Sequence, residues 1–146
     1  MMKTGLIVTL VLAGTLVGCG QSPDSKVKED RETVSEEVQA AVVAVNAAEA
    51  MELIGADPGL VIVDLRTPDE FETGHIGGSI NIDFLADGFE EELAELDSSR
   101  PTIFHCASGN RSGKAQAAFE ALGFLTLYHM DSGFKSWETA GLPVVK

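Results

Sequence analysis

The sequence predicts an α/β domain with a central, mainly parallel five-stranded sheet and helices on both faces. Two observations carry this expectation. Continuous apolar runs, Leu60-Val61-Ile62-Val63 and Thr102-Ile103-Phe104, read as strands buried on both faces, the mark of a parallel sheet. Stretches with helical spacing alternate with those runs, the clearest having Ala115, Ala118, Phe119 and Leu122 at i, i+3, i+4 and i+7. Alternating strands and helices fold as parallel crossovers. The chain has 146 residues, 45% of them hydrophobic, enough for one domain with a real core and a tail.

The elements follow in order. Val42, Val43 and Val45 suggest the first strand, and Asn46 followed by Glu49 forms a capping pair that opens a helix running through Ile54. Asp57, Pro58 and Gly59 break that helix before the second strand, Leu60 to Asp64. Residues 68–73 make one or two helical turns, and Ile80 and Ile82 mark a short third strand. Residues 84–96 read as a helix with Leu85, Phe89, Leu93 and Leu96 inward and Glu90, Glu91, Glu92 and Glu95 on a solvated face. Pro101 to His105 is the fourth strand, and the helix after it stops at Gly123. Phe124 to Tyr128 is the fifth strand, and a last helix over 133–140 ends at Gly141 and Pro143.

Ahead of the domain, which spans 41–146, the sequence reads as an export signal and a tether. Lys3 precedes a twelve-residue apolar run, Leu6 to Val17, too short to span a bilayer comfortably. The run ends in Leu16-Val17-Gly18-Cys19, which resembles the bacterial lipobox. That resemblance implies a signal peptide over 1–18, a lipidated Cys19 and membrane attachment through it. Gly20 after the Cys points to the periplasmic face of the outer membrane, or to the outer face of the cytoplasmic membrane in a cell without an outer one. Residues 19–40 then form a flexible acidic tether, with only a weak helical signal at Val34 and Val38. An acylated Cys19 leaves Cys106 without a disulfide partner or an internal resolving thiol.

The charge balance excludes one class of partner. Net charge is −13, and residues 41–146 alone hold seventeen acids against six bases. No basic patch appears, so nucleic acid is not expected as a partner, and an anionic substrate must be attracted locally. The run Phe104-His105-Cys106-Ala107-Ser108-Gly109-Asn110-Arg111-Ser112 offers such a place. Cys106 ends a buried strand and lies close to a helix N-terminus, where free N–H groups and the helix dipole favour a thiolate. The same N–H groups cradle an anion, Gly109 lets the loop turn, and Arg111 supplies a positive fork. The expected site is therefore Cys106 and Arg111, with Ala107, Ser108, Gly109, Asn110 and Ser112 forming the substrate-binding loop. The hydroxyls of Ser108 and Ser112 can add hydrogen bonds at the site, and for Ser112 capping of the helix that follows is the favoured reading. Three scattered histidines and one usable cysteine make no metal site, and no cofactor is expected.

Four segments together resemble the single-domain rhodaneses, the thiosulfate sulfurtransferase family, over about residues 44–146. Asp64-Leu65-Arg66-Thr67-Pro68-Asp69-Glu70-Phe71 resembles D-x-R-x-x-x-E-[FY], and Gly74-His75-Ile76-Gly77-Gly78-Ser79-Ile80-Asn81-Ile82 resembles G-H-I-x-G-[AS]-x-N-[IL]. Cys106 to Ser112 resembles C-x-x-G-x-R-S. Gly133 to Trp137 and Ala140 to Val144 resemble the closing G-x-x-x-W and A-G-[LFY]-P-[VI] segments. The resemblance implies ping-pong sulfur transfer: the Cys106 thiolate takes a sulfane sulfur from a small anionic donor and passes it to a thiol or protein acceptor. The chain is expected to act as a monomer. Two departures stand out. Gly77 replaces the usual Pro, implying a looser loop, and Ala107 stands where several thiosulfate-using members carry a cation. Asp64, Arg66 and His75 are expected to support the loop, Arg66 by pairing with Glu70 or another carboxylate. His105 reads as a packing residue rather than a general base, because neighbouring strand residues point to opposite faces. His129 shows no partner signal. The rivals are a cysteine phosphatase or arsenate reductase on a related fold, whose loops are C-x₅-R, one residue longer than Cys106 to Arg111, and a non-catalytic sulfur-carrier module.

Overall fold

The computed structural model describes residues 40–146. The expected signal peptide over 1–18, the lipidated Cys19 and all but the last residue of the tether lie outside the described residues.

Five strands form one sheet: β1 (Ala41–Val45), β2 (Val61–Asp64), β3 (Ile80–Asn81), β4 (Thr102–His105) and β5 (Thr126–Met130). They lie in the order β1-β5-β4-β2-β3, and all four pairings are parallel. The helices are α1 (Ala47–Ala56), α2 (Pro68–Thr73), α3 (Phe89–Ala94), α4 (Asn110–Ala121) and α5 (Gly133–Thr139). The sheet divides the core in two because neighbouring strand residues face opposite ways. Val61, Val63, Phe104 and Leu127 pack with Phe89, Leu93, Ala115 and Phe119 on the α3/α4 side. Ile62, Ile103 and Met130 pack with Ala47, Ala50, Phe134 and Trp137 on the α1/α5 side. The α/β expectation, its parallel sheet and its two covered faces are borne out.

Local chemistry sets the helix starts. Asn46 Oδ1 accepts the N–H groups of Ala48 and Glu49 at 2.9 and 3.0 Å, and Glu49 returns a carboxylate to the Asn46 N–H at 2.8 Å. Thr67 and Glu70 form the same reciprocal box on α2, with Pro68 in the first turn. Gly77, expected to loosen its loop, stands in a closed turn in which the Ser79 N–H and hydroxyl both donate to the Ile76 carbonyl, at 3.0 and 2.7 Å.

Two boundaries differ from expectation. The helix over 84–96 shrinks to six residues, Phe89–Ala94. Asp83 Oδ1 accepts the Leu85 N–H at 2.9 Å, a local turn that competes with helix, so Leu85 is exposed rather than in the core. The fifth strand is shifted two residues toward the C-terminus, to Thr126–Met130, because its register with β1 and β4 is set by those pairings. The shift brings His129 into the sheet.

Sheet order positions the site. From β4 the chain crosses to β5, and from β2 it crosses to β3, on opposite sides. The crevice beyond the carboxyl ends of β2 and β4 is where such folds bind ligands.

Candidate active site

Cys106 follows β4 directly and is buried. Helix α4 begins at Asn110, and its preceding residue, Gly109, provides no side-chain cap. The Cys106 sulfur lies beside this first turn, 3.6 Å from the Ser112 hydroxyl. The N–H groups of Ser112, Ser108 and Arg111 and the Ser112 hydroxyl all favour its charged form. Burial pushes the Cys106 thiol up, but these donors outweigh it and hold the thiol below its ordinary value.

The loop is held by the turn before α5. The Cys106 carbonyl accepts the Phe134 N–H at 2.8 Å, and the Ala107 carbonyl accepts the Lys135 N–H at 3.1 Å. These bonds satisfy first-turn N–H groups of α5, which has no side-chain cap either. The approach is close enough to demand two glycines. Gly109 has φ +87°, and a Cβ there would lie 1.7 Å from the Asp131 carbonyl oxygen. Gly133 has φ +67°, and its Cβ would lie 2.5 Å from the Ser108 nitrogen.

The Arg111 guanidinium serves Glu70 first and also faces the Cys106 sulfur, and both push its pKa up. The fork read as open to an anion is filled by Glu70: Nη1 donates to Oε2 at 2.7 Å and Nη2 to Oε1 at 2.8 Å. The Arg111 guanidinium, by this bidentate bond, holds the Glu70 carboxyl down at about 2. Glu70 also accepts the Thr67 N–H at 3.0 Å, so one carboxylate caps α2 and ties it to the loop. Arg66 therefore takes the other expected option, a carboxylate besides Glu70. It clamps the buried Asp64, with Nε at 2.9 Å from Oδ1 and Nη2 at 2.6 Å from Oδ2. Its remaining donors reach the carbonyls of Glu70 at 3.1 Å and Gly74 at 2.8 Å, and its guanidinium lies 3.9 Å from the Phe134 ring centroid.

His75 sits away from the loop in its bonding. Its ring stacks on Phe71 at 3.8 Å and meets the Phe71 carbonyl at 3.2 Å, while its backbone pairs with Val145. It joins α2 to the C-terminal segment. His105 is fully buried beside Phe134, with Nε2 3.9 Å from Asp64 Oδ2, and burial pushes its pKa down. Ala107 is half-buried, while the Ser108 and Asn110 side chains are exposed. Ser112 caps no N–H group, contrary to expectation. It sits inside the first turn of α4, its hydroxyl 3.1 Å from the Gly109 carbonyl, 3.6 Å from Cys106 Sγ and 2.9 Å from His129 Nε2.

The Glu70 to Arg111 pair and the His129 contact were both missed from sequence. The first spans forty-one residues. The second had one usable signal: Leu127 and His129 share a strand face, at the same end of a parallel sheet as Cys106.

The site is thus a buried thiol with a lowered pKa at the switch point of a parallel α/β sheet. Similarity to known proteins sharpens this. Residues 46–140 match the family described as Rhodanese-like domain, and the chain belongs to that family. It is 35% identical over 83 residues to the thiosulfate sulfurtransferase GlpE of Pseudomonas syringae, covering 57% of this chain and 76% of the relative. A rhodanese-related protein from Thermoplasma volcanium superposes with TM-score 0.62 at 33% identity, over 70% of this chain and 96% of that one. A protein of unknown function from Rhodopseudomonas palustris, described as a possible tyrosine phosphatase, has TM-score 0.61 at 29% identity, over 71% and 85% of the two chains.

Proposed function

We propose that the protein is a sulfurtransferase that carries a sulfane sulfur on Cys106. The observation that supports it best is the buried Cys106 thiol at the start of α4, 3.6 Å from the Ser112 hydroxyl and held below its ordinary pKa there. In the first half-reaction the thiolate attacks the sulfane sulfur of a donor such as thiosulfate or polysulfide. A Cys–S bond forms, the donor's S–S bond breaks, and sulfite or the shortened polysulfide leaves with the electron pair. The persulfide anion keeps the charge inside the N–H cradle, which stabilises it as it stabilised the thiolate. In the second half-reaction a thiolate acceptor, or cyanide in an assay, attacks the outer sulfur and returns the Cys106 thiolate. No proton, electron or cofactor from outside is needed.

Because Glu70 already balances Arg111, the donor is met chiefly by backbone N–H groups. Low donor charge is therefore favoured over high. The four residues between Cys106 and Arg111 make a cradle fitted to a sulfur chain rather than to a tetrahedral phosphate. Inserting a Gly between Ser108 and Gly109 tests this. A displacement of about 1 Å can cost ~100-fold in rate, so thiosulfate turnover should collapse in the inserted protein. Arylphosphate hydrolysis by the native protein exceeding its sulfur transfer would instead support the phosphatase reading.

We also propose that the domain works outside the cytoplasm, anchored through lipid on Cys19. Cys19→Ala should move the protein from the membrane to the soluble fraction and leave sulfur transfer unchanged. Lipid still present on that variant would end the anchoring proposal.

A further inference from the structure

His129 stands outside the reaction described so far, yet it touches a group that touches the sulfur. Its ring is fixed by the sheet rather than by the loop. β5 pairs His129 with Ala44 of β1 and with Phe104 of β4, and the ring stacks on Phe104 at 4.8 Å with the planes 6° apart. From α4, Gly113 leaves room beside it, for a Cβ there would come only to 3.8 Å from Cε1. The ring is thus held by groups other than the sulfur.

Ser112 has one hydroxyl proton and three neighbours: His129 Nε2 at 2.9 Å, the Gly109 carbonyl oxygen at 3.1 Å and Cys106 Sγ at 3.6 Å. The carbonyl can only accept, and so can a thiolate. A neutral imidazole does either, according to its tautomer. With Nε2 unprotonated, the ring takes the Ser112 proton and leaves an oxygen lone pair facing the sulfur. With Nε2 protonated, the ring donates to Ser112, and the hydroxyl proton is free for the sulfur. A thiolate is the strongest acceptor of the three, so its formation selects the second arrangement.

We propose that His129 is a positioning residue for Cys106: it donates Nε2–H to Ser112 and thereby aims the Ser112 hydroxyl at the sulfur. Asp131 is the one charged group acting on the ring among the described residues. The other groups facing it, Ala44, Phe104, Gly113 and Ser112, are neutral, and the thiol lies one hydroxyl away. The inference rests on the sulfur-transfer reading only for the identity of the nucleophile.

Alkylation by iodoacetamide tests it, followed at the Cys106 peptide by mass spectrometry in the full chain across a range of pH. This reads the thiolate whether or not a persulfide forms, so its failure and the failure of sulfur loading are separate results. His129→Phe keeps the stack on Phe104 and removes the donor. Its Cys106 should react about 3- to 10-fold more slowly near neutral pH, the effect of losing the orientation of one ordinary-strength hydrogen bond to the sulfur. The rates should converge in alkali, where the thiol is ionised in both proteins. His129→Gln, with an amide nitrogen near the Nε2 position, should restore most of the rate. Ser112→Ala should be slow, and adding His129→Phe to it should change nothing more. Superimposable profiles for wild type and His129→Phe would overturn the proposal. So would an equal slowing at every pH, no rescue by Gln, or a further loss in the Ser112→Ala background.

Discussion

At the residue scale, the chemistry rests on a conflict that Cys106 resolves. Burial opposes a charged sulfur, and the N–H groups of Ser112, Ser108 and Arg111 with the Ser112 hydroxyl overcome it. The lowered thiol pKa fixes a pH dependence. Sulfur loading should rise with pH through a midpoint below the ordinary thiol value and then level off, measured as the initial rate of sulfite release from thiosulfate. A midpoint at or above the ordinary value would mean that burial wins. Glu70 offers a second test. Glu70→Gln keeps a side chain able to cap α2 but removes the charge that occupies Arg111. Freed of about one charge-assisted hydrogen bond, the fork should lower KM for thiosulfate about 5-fold or more, with less change for a monoanionic persulfide donor. An unchanged KM ratio would place donor selection elsewhere.

At the element scale, the loop depends on how α2, α4 and α5 meet around it. Gly109→Ala would force a side chain to φ +87° and into the Asp131 carbonyl. Strain of about 1–3 kcal/mol from the backbone alone should lower the melting temperature, and sulfur loading should fall far more than folding does. Glu70 links α2 to the loop in a way that acid can undo. Its pKa falls from 4.5 to about 2 on folding, so its contribution is full above pH 4.5 and fades as pH drops toward 2. Thermal melts should show wild type more stable than Glu70→Gln above pH 4.5, the gap closing as pH falls toward 2; a gap as wide at pH 2.5 as above pH 4.5 would refute this sign. The same elements show what a sequence reveals. β2 and β4 were legible because full burial writes an unbroken apolar run. The Asn46–Glu49 box was legible because both partners are local. α3 was overextended because Leu85 fits a helical spacing, while the competing Asp83 turn leaves no periodic trace. β5 was misplaced because Phe124 and Leu125 look like strand, while register is set by pairing with distant β1 and β4. The loop's nucleophile was legible from its neighbours, whereas its ties to Glu70 and His129 are made only when separated elements come together.

At the scale of the whole molecule, one buried ion pair holds the site to the sheet. Arg66 gathers Asp64, the end of α2, Gly74 and the face of Phe134. Asp64→Ala would leave the guanidinium buried without its carboxylate, a loss of about 3–5 kcal/mol that urea unfolding should register. A cost under about 1 kcal/mol would mean water replaces Asp64 readily. Above that framework stands the proposal that a sulfur atom resides covalently on Cys106 between two half-reactions. The direct test is to treat the purified protein with thiosulfate and with polysulfide, remove the donor, and map its mass by peptide. The Cys106 peptide should gain one sulfur atom, lost on addition of cyanide with stoichiometric thiocyanate, and position 106 should gain none in Cys106→Ser. An unmodified Cys106 peptide after every donor, or full sulfur transfer by Cys106→Ser, would contradict it.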